Sequence, residues 1–451
     1  MAPTEYDLVV IGSGVAGSTA AQRCRAAGWR VAIIDQLPFG GTCALRGCDP
    51  KKVLVGVAES IDHDRRLRGK GVGGGRPVID WPALMEFKRG FTAPVPRQRE
   101  AGFAASGIDA IPGRARFRDR ATLEVDGRLL QSRFFLLAAG AAPMRLGIDG
   151  EELLADSTDF LDLATLPRRI VLVGGGYIAA EFSHIAARAG AAVTVVERGT
   201  RWLTQFDPEL AARLAAKTEA LGITIRLGTR VEAVTRSGAG FAVHAVAADG
   251  GKSVIEADLA VHAAGRAPDF DALDLAAAGV ALDGKRLALN RYLQSVSNPA
   301  IYAAGDAAAQ GPPLTPVATR DGALVAANML EGNRHEPNYR GIPSVVFTIP
   351  VLARVGLLEA EANAQGLRFE LRQGDSSGWY TQRRVGEDCA GYKILLEAGT
   401  GTILGAHLVG TDAEHVINLF ALAIREGLAA DRLKDAVFSY PNAASDIGYM
   451  I

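Results

Sequence analysis

The residues with the clearest chemical potential are two cysteines five positions apart, in the segment G-G-T-C-A-L-R-G-C-D-P-K-K. On a regular helix, residues at this spacing have Cα atoms roughly 8–9 Å apart, beyond the ~7 Å that a disulfide tolerates. A bridge between Cys43 and Cys48 therefore needs a distorted turn, which Gly47 would permit, and a strained bridge is more easily reduced. Lys51 and Lys52 follow directly, and their positive charge would lower the pKa of a thiol. The segment is a candidate redox centre.

The residues alone leave a second interpretation open, in which Cys43 and Cys48 are unrelated buried side chains. Metal binding is disfavoured because no further Cys or His cluster completes a four-ligand set, so no metal site is predicted. Cys24 and Cys389 have no partner in sequence and are expected in the core. Four cysteines in 451 residues do not form a disulfide scaffold, which favours a reducing compartment such as the cytoplasm.

A buried strand, a glycine-rich turn, an Ala-rich helix and a second strand occur in this order twice. The first copy has the turn G-S-G-V-A-G at residues 12–17, and the second has G-G-G-Y-I-A at 174–179. Glycines at such a turn allow a pyrophosphate to approach the backbone N–H groups at the start of the helix. Each second strand ends in an acid, Asp35 or Glu197, placed to accept hydrogen bonds from a ribose. We therefore expect two dinucleotide-binding lobes.

The second lobe carries opposing signals about its nicotinamide dinucleotide. Glu197 favours the free 2′-hydroxyl of NADH. Arg198 and Arg201 would favour the 2′-phosphate of NADPH, unless they are ordinary surface charges. The residues do not decide between the two.

Composition excludes other classes of function. The chain has 49 basic and 50 acidic residues, so it lacks the positive field that binds nucleic acid or an anionic membrane. No apolar run is long enough to cross a bilayer, and the N-terminal residues lack the basic region and cleavage site of a signal peptide. We expect a cytoplasmic protein with a normal buried core.

These segments together resemble the class I pyridine nucleotide-disulfide oxidoreductase family, flavoproteins that include glutathione reductase, dihydrolipoamide dehydrogenase, mycothione reductase and mercuric reductase. Further segments with the same resemblance are A-A-G at 138–140, A-G-R-A-P at 264–268, I-Y-A-A-G-D at 301–306, L-T-P-V-A at 314–318 and P-S-V-V-F-T at 343–348.

The resemblance implies an α/β fold with two Rossmann-like dinucleotide-binding domains and a C-terminal α+β dimerisation domain. The FAD-binding domain would comprise residues 1–146 and 266–338, and the NAD(P)-binding domain residues 147–265. The dimerisation domain would comprise residues 339–451.

The resemblance also implies roles for individual residues in a homodimeric NAD(P)H oxidoreductase that uses FAD. Cys48 would be the charge-transfer thiol facing the flavin, and Cys43 the interchange thiol that attacks the substrate. Lys51 would pair with Glu181 beside flavin N5, and Tyr177 would cover the nicotinamide pocket. A cation beside N5 stabilises the negative charge of a reduced flavin, and a carboxylate keeps a buried lysine charged.

The cofactor-binding residues implied by the resemblance fall into two sets. Those for FAD are Gly12, Ser13, Gly14, Gly17, Asp35, Gly41, Thr42, Ala115, Gly140, Asp306, Thr315 and Ala318. Those for NADPH or NADH are Gly174, Gly176, Ile178, Glu197, Arg198 and Gly265.

The C-terminal tail departs from the family pattern, which carries a catalytic His followed five residues later by Glu. Tyr440 stands at the His position and Ser445 at the Glu position, and none of the seven histidines lies in this tail. A phenol is a poor acid–base group at neutral pH, and such catalysis is typically worth ~10²–10⁴ in rate. Tyr440 or Asp446 would have to replace the imidazole, unless Tyr440 is only a packing residue.

Three functions remain after this departure. The first is electron transfer from NAD(P)H through FAD and the Cys43–Cys48 disulfide to a small disulfide substrate. The second has a non-disulfide acceptor, such as a quinone, a metal ion or another electrophile, because such acceptors need no thiolate protonation. The third is a flavin-bearing redox sensor or binding module without turnover.

Overall fold

The structure is a computed structural model that describes residues 3–268 and 270–451. The chain divides into two compact units. The first runs to Lys51 and continues with Phe87–Met144 and Arg266–Tyr339. The second consists of Lys52–Glu86, Arg145–Gly265 and Arg340–Ile451. The second glycine turn and the C-terminal region share one unit, and the three predicted domain boundaries stay predictions.

The helices include the two that carry the paired cysteines and the two that follow the glycine turns. In chain order they are α1 (Val15–Ala26), α2 (Gly41–Arg46), α3 (Cys48–Leu67), α4 (Trp81–Thr92), α5 (Val95–Ser106), α6 (Ser157–Leu161), α7 (Tyr177–Arg188), α8 (Pro208–Ala220), α9 (Thr315–Glu331), α10 (Glu359–Ala364), α11 (Tyr380–Arg383), α12 (Ala413–Glu426), α13 (Ala430–Lys434) and α14 (Ile447–Met450).

The strands are mostly short. They are β1 (Thr4–Ile11), β2 (Val31–Asp35), β3 (Asp109–Pro112), β4 (Ala115–Phe117), β5 (Thr122–Val125), β6 (Arg128–Leu137), β7 (Ala142–Pro143), β8 (Arg169–Val173), β9 (Ala192–Val196), β10 (Thr224–Arg226), β11 (Thr229–Ser237), β12 (Gly240–Ala247), β13 (Lys252–Ala257), β14 (Leu259–His262), β15 (Arg266–Ala267), β16 (Leu282–Asp283), β17 (Arg286–Leu287), β18 (Ile301–Ala303), β19 (Ser344–Val346), β20 (Val351–Gly356), β21 (Phe369–Asp375), β22 (Gly391–Glu397) and β23 (Ile403–Gly410).

The first unit is built on a sheet of order β3-β2-β1-β6-β5-β4, with β18 also pairing with β6. The pairs among β3, β2, β1, β6 and β18 are parallel. Leu8, Val9 and Val10 of β1 are fully buried, as expected for a parallel strand covered on both faces. Helix α9 packs directly on α1, since a Cβ on Gly322 would lie 2.3 Å from the Ala16 carbonyl oxygen. This packing brings the start of α9 to the first glycine turn.

The second unit contains a parallel sheet of order β10-β9-β8-β14 and an antiparallel sheet of β11, β12 and β13. Its C-terminal part is an antiparallel sheet of order β19-β20-β23-β22-β21, against which α12 packs. The apolar face of α12 repeats at helical spacing and is buried. Its residues include Val416, Ile417, Phe420, Ala423 and Ile424. The predicted α/β class with a C-terminal α+β region is confirmed.

The sequence-based expectations agree with most elements and differ at one segment. The amphipathic pattern around residues 412–427 predicts one long helix, and this helix is α12; both copies of the strand–turn–helix–strand unit are also present. The polar, glycine-rich composition of residues 62–82 predicts an exposed connection, but α3 continues to Leu67 and α4 begins at Trp81. That expectation is wrong at both ends, because Asp62 and Trp81 are buried by tertiary contacts that local polarity does not reveal.

A buried ion pair within the second unit joins α3 to α7. Arg188 donates to Asp62 Oδ1 at 2.7 Å and Arg66 donates to Oδ2 at 2.7 Å. The Arg188 and Asp62 side chains are only 4% and 5% exposed. Burial raises the pKa of Asp62, but the charges and hydrogen bonds of Arg188 and Arg66 outweigh it and keep the pKa below its ordinary value. The carboxylate is therefore charged at neutral pH and compensates two guanidinium groups.

We expect Asp62→Asn to lower the free energy of unfolding by about 3–5 kcal/mol, because it leaves the buried Arg188 charge uncompensated. Urea denaturation followed by circular dichroism measures this. Arg372→Met is the matched control, since Arg372 forms an exposed pair with Glu370, and such pairs contribute roughly 0–1 kcal/mol. Equal effects of the two substitutions would contradict the prediction.

Candidate active site

The two cysteines lie on either side of a break between helices. Helix α2 ends at Arg46 and α3 begins at Cys48, with Gly47 between them. The distorted turn predicted at Gly47 is therefore confirmed. Both cysteines are free thiols in this structure, and each shifts the pKa of the other. The break gives two side chains five residues apart an approach that a continuous helix would not allow.

The sulfur pair carries one proton and one negative charge in an asymmetric arrangement. The hydrogen bond from Cys43 lowers the pKa of Cys48 to about 6 against the cost of burial, with help from Thr315 and Lys51. The same hydrogen bond and burial raise the pKa of Cys43. Thr315 Oγ1, at the start of α9, lies 3.4 Å from Cys48 Sγ. With its lowered pKa the Cys48 sulfur is a thiolate at neutral pH, whereas the Cys43 thiol donates to Asp49 Oδ1 at 3.8 Å.

A series of hydrogen bonds through the Asp35 and Ser13 side chains joins the first glycine turn to the cysteine segment. Asp35 Oδ2 accepts from the Ser13 backbone N–H at 2.9 Å and from Ser13 Oγ at 2.6 Å. Ser13 Oγ in turn accepts from the backbone N–H of Gly40 at 3.0 Å. The acid at the tip of β2 thus fixes both the turn and the residues that lead into Cys43.

The residues around this turn fit FAD. Gly12 has φ +105°, and a Cβ there would lie 2.2 Å from the Ala138 carbonyl oxygen. Gly41 approaches Gly14 so closely that its Cβ would lie 2.5 Å from the Gly14 Cα. No side chain caps the N-terminus of α1, so its N–H groups face a cradle of bare backbone, as a pyrophosphate requires.

Asp306 supplies a second feature that fits the flavin cofactor. Burial raises the pKa of this carboxyl group, with Arg266 acting in the opposite direction. Among the described residues no hydrogen-bond donor satisfies it. A partly buried carboxyl that receives no hydrogen bond from the described residues is suited to a ligand hydroxyl, such as one on the ribityl chain of FAD.

The other residues predicted for FAD lie in the same unit. Gly17 lies in α1, Thr42 in α2, Ala115 in β4, Ala318 in α9, and Gly140 just after β6.

The second glycine turn borders a pocket in the second unit. Its lining includes Gly175, Gly176, Tyr177, Glu197, Arg201 and the loop Leu203–Phe206. Glu197 accepts hydrogen bonds from the backbone N–H groups of Gly175 and Gly199, both at 2.6 Å. Arg198 is exposed and is not part of this lining.

Gly174 has the same positive φ and close backbone approach as Gly12. It has φ +117°, and a Cβ there would lie 2.4 Å from the Ala263 carbonyl oxygen. Gly176 precedes α7, whose N-terminus also has no side-chain cap. Ile178 packs in the core beneath the turn, and Gly265 lies in the segment after β14. These features fit a second dinucleotide.

Helix α7 carries two of the predicted catalytic residues. Tyr177 is its first residue, and the ring packs against Phe206 with centroids 5.4 Å apart. Burial raises the pKa of its hydroxyl group, and Ser344 and Arg354 act in the opposite direction. Glu181 is 7% exposed and accepts from the backbone N–H of Phe347 at 2.9 Å. Lys51, in the first unit, is 8% exposed; its pairing with Glu181 stays a prediction.

The C-terminal tail distinguishes the two candidates for the missing imidazole. Tyr440 is 79% exposed in the protomer, so it does not pack within its own chain. Asp446 is only 8% exposed and accepts a hydrogen bond from the Thr381 hydroxyl group. Burial raises the pKa of Asp446, which Thr381 partly offsets. Tyr440 is therefore accessible to a substrate or a partner chain, whereas Asp446 is buried and already hydrogen-bonded within its own chain.

Sequence reasoning missed the loop Leu203–Phe206 and the C-terminal partners Ser344 and Phe347. These residues join the site through tertiary contacts. Ser344 and Phe347 lie in the P-S-V-V-F-T segment noted above, but that pattern gave them no contact with α7. The one signal near them is the pair Asp207-Pro208, which predicts a helix start, and Asp207 does cap α8.

Comparison with known proteins agrees with this geometry. The family model for pyridine nucleotide-disulphide oxidoreductases matches residues 6–322, and the model for their dimerisation domain matches residues 342–451. The chain belongs to the pyridine nucleotide-disulphide oxidoreductase family.

Relatives and a solved structure match the chain over nearly its full length. The mercuric reductase of Staphylococcus aureus is 32% identical over 98% of this chain and 81% of its own. The glutathione reductase of Burkholderia cepacia is 32% identical over 93% of both chains. The Cu(II) complex of the HOCl-induced flavoprotein disulfide reductase RclA from Escherichia coli has a TM-score of 0.89 and 26% identity, and covers 99% of both chains.

As a member of this family the protein is an FAD-dependent oxidoreductase that uses NAD(P)H, and it carries the family's dimerisation domain. Across the described residues, no helix is both long and apolar enough to cross a membrane. The same residues contain no cluster of His, Cys, Asp and Glu side chains suited to a metal ion.

We expect the reduced protein to gain one thiolate with a midpoint near pH 6, because the pKa of Cys48 is lowered to about 6. The lowered pKa places the charge on Cys48 above that pH and removes it below. Absorbance at 240 nm during a pH titration measures the thiolate. The transition should vanish in Cys48→Ser and persist in Cys43→Ser, whose hydroxyl group can still donate. A midpoint near that of an ordinary thiol would refute the assignment.

Proposed function

We propose that this flavoenzyme passes electrons from NAD(P)H through the Cys43–Cys48 pair to a small disulfide substrate. The observation that carries the proposal is the helix break at Gly47 between the two cysteines, with Cys48 Sγ 3.4 Å from Thr315 Oγ1 and its pKa lowered to about 6. The first glycine turn, Asp35, Asp306 and Thr315 would hold FAD. Bound FAD would supply hydride acceptance from NAD(P)H and two-electron reduction of the Cys43–Cys48 disulfide to this dithiol.

The dithiol then reduces the substrate in two exchanges. The Cys43 sulfur attacks the disulfide RSSR, so a Cys43–SR bond forms and one RS⁻ leaves. The Cys48 thiolate next attacks the Cys43 sulfur, which restores the Cys43–Cys48 disulfide and releases a second RS⁻. The pair supplies only the proton of Cys43, and this proton goes to one of the two leaving thiolates. The second proton must come from Tyr440 or water.

The proposal includes a homodimer in which Tyr440 reaches the dithiol of the partner subunit. Its support is the dimerisation domain together with apolar and aromatic side chains exposed near the C-terminus. Val437, Tyr440 and Tyr449 are 99%, 79% and 76% exposed in the single protomer. Exposed apolar groups of this kind mark an interaction surface. A fully active monomer in sedimentation and assay would contradict the dimer.

The missing imidazole favours a second candidate acceptor, a thiophilic metal ion. Two electrons from NAD(P)H reduce one Hg(II) to Hg(0) or two Cu(II) to Cu(I) and release one proton, and no thiolate has to be protonated. The mercuric reductase relatives and the Cu(II) complex of RclA show that similar proteins act on or bind such ions. Quinones share the same independence from thiolate protonation.

The two candidates predict different responses to restoring the imidazole. If a disulfide is the substrate, Tyr440→His should raise kcat/KM for that disulfide by about 10²-fold or more, since general acid catalysis is worth ~10²–10⁴. Turnover of a metal ion or a quinone should change little. Steady-state assays with glutathione disulfide, cystine, Cu(II), Hg(II) and a benzoquinone measure this.

Cys43→Ser completes the comparison of acceptors. It should abolish disulfide turnover, because the attacking sulfur is lost. Turnover of a disulfide that survives Cys43→Ser would refute the disulfide proposal. Quinone turnover that survives this substitution, with no disulfide turned over by either wild type or Tyr440→His, would favour the second class of acceptor.

We propose further that the pocket at the second glycine turn binds the nicotinamide dinucleotide and prefers NADH. Its support is the Glu197 carboxylate, which two backbone N–H groups fix at the pocket wall. A fixed negative charge there repels a 2′-phosphate and accepts hydrogen bonds from a free ribose diol.

Glu197→Gln should therefore shift the NADH/NADPH ratio of kcat/KM about tenfold towards NADPH, a change that corresponds to ~1.4 kcal/mol. Parallel assays with the two dinucleotides measure the ratio. Arg201→Gln should weaken NADPH more than Arg198→Gln does, because only Arg201 lines the pocket. An unchanged ratio in Glu197→Gln would refute the preference.

A further inference from the structure

A row of three basic side chains crosses the C-terminal sheet beside the loop of the dinucleotide pocket. Arg354 of β20 pairs in register with His407 of β23, and His407 pairs in register with Lys393 of β22. Residues directly opposite in antiparallel strands share one face of the sheet. His407 and Lys393 are almost fully buried, at 0% and 1% exposure.

Both ends of this row bind the segment that leads from the pocket into α8. Arg354 donates to the Gln205 carbonyl oxygen. Lys393 Nζ lies 3.1 Å from Asp207 Oδ2, and Asp207 Oδ1 accepts from the Glu209 and Leu210 N–H groups as the cap of α8. Arg354 and Lys393 thus bind consecutive residues of the same loop.

The three basic side chains also make contacts with groups outside the pocket. Lys393 Nζ is also 3.1 Å from Glu209 Oε1 and 3.4 Å from Glu359 Oε2. Arg354 also contacts the Gly356 carbonyl oxygen and Glu361. His407 is bonded at Nε2 to the Leu357 carbonyl oxygen. These carboxylates balance the buried Lys393 and the partly exposed Arg354.

The Leu203–Asp207 loop, which Arg354 and Lys393 bind, contains a strained backbone conformation that other contacts must stabilise. Leu203 is a non-glycine residue with φ +47°, a conformation that costs free energy. Its N–H donates to the Gly175 carbonyl oxygen at 2.8 Å, which ties the loop to the glycine turn. Phe206, at the other end of the lining, packs on the Tyr177 ring. Displacement of the loop would therefore alter both the pocket wall and the position of the Tyr177 ring, which also lines the pocket.

We propose that Arg354 and Lys393 are positioning residues for NAD(P)H, which hold the Leu203–Asp207 loop in its binding conformation and so set the affinity for the dinucleotide. Neither residue lines the pocket. The inference rests on the proposed assignment of that pocket to the dinucleotide. It links the C-terminal sheet, which is part of the dimerisation domain, to the binding of NAD(P)H.

The test compares Arg354→Met, Lys393→Met and the control Arg372→Met in the holoenzyme. Arg372 lies on β21 of the same sheet, exposed and paired with Glu370. We expect the first two to raise KM for NADH and the Kd for NAD⁺ by about tenfold, with kcat at saturating NADH and the KM of the acceptor within twofold of wild type. Arg354→Lys, which keeps a cation able to reach the Gln205 carbonyl, should recover most of the affinity. The control should change none of these.

A merely structural role would lower the melting temperature and leave KM and Kd for the dinucleotide unchanged, and this result would overturn the proposal. Arg354→Met decides the matter if Lys393→Met does not fold, because it leaves no fully buried carboxylate without its cation. Glu197→Gln separates the two hypotheses. If it changes dinucleotide affinity while the row variants do not, the positioning role fails; if it changes nothing either, the pocket assignment fails.

Discussion

The electrostatic coupling between the sulfurs of Cys43 and Cys48 is the interaction on which the proposed chemistry of this protein depends. It exists because the helix stops at Gly47 and starts again one residue later. The coupling raises the pKa of Cys43 and lowers that of Cys48, and the Thr315 hydroxyl group stabilises the Cys48 thiolate from α9. Thr315 reaches that point because α9 packs without a gap on α1, which follows the first glycine turn. The redox pair and the cofactor cradle are thus parts of one packed assembly.

The acids at the strand tips show how the two dinucleotide lobes are stabilised before any ligand binds. Asp35 binds Ser13, which binds Gly40, so the turn and the cysteine segment are fixed together. Glu197 binds the N–H groups on both sides of its own strand tip. In each lobe a carboxylate that can meet a ribose also organises the backbone around it. This double use explains why the sites have a defined shape in the protein alone.

The C-terminal region contributes to the second unit in more than one way. It supplies the sheet of the dimerisation domain, and its residues also contact the helix and the loop beside the second glycine turn. Phe347 donates to Glu181, and Arg354 and Lys393 contact the loop beside the pocket. The dimerisation domain is therefore in direct contact with residues proposed to bind the dinucleotide.

Local patterns were sufficient for much of the fold and for the redox centre. A glycine turn between a buried strand and an Ala-rich helix specifies its own geometry, because only glycine permits the positive φ and the close approach found at Gly12 and Gly174. The spacing of Cys43 and Cys48 likewise required the break that Gly47 provides. The family pattern located Thr315 and Asp306, and the replacement of a His by Tyr440 was visible from the residues alone.

The remaining features needed the tertiary structure, because they depend on which distant segments meet. The burial of Asp62 was not visible, since its partner Arg188 is far away in sequence. Nothing local indicates that Asp446 is buried against Thr381 while Tyr440 is open. The contact of Arg354 and Lys393 with the Leu203–Asp207 loop depends on strand register, which places side chains from three strands on one face. Sequence determined the chemical groups and their local turns, and the packing of remote strands and helices decided which of those groups act together.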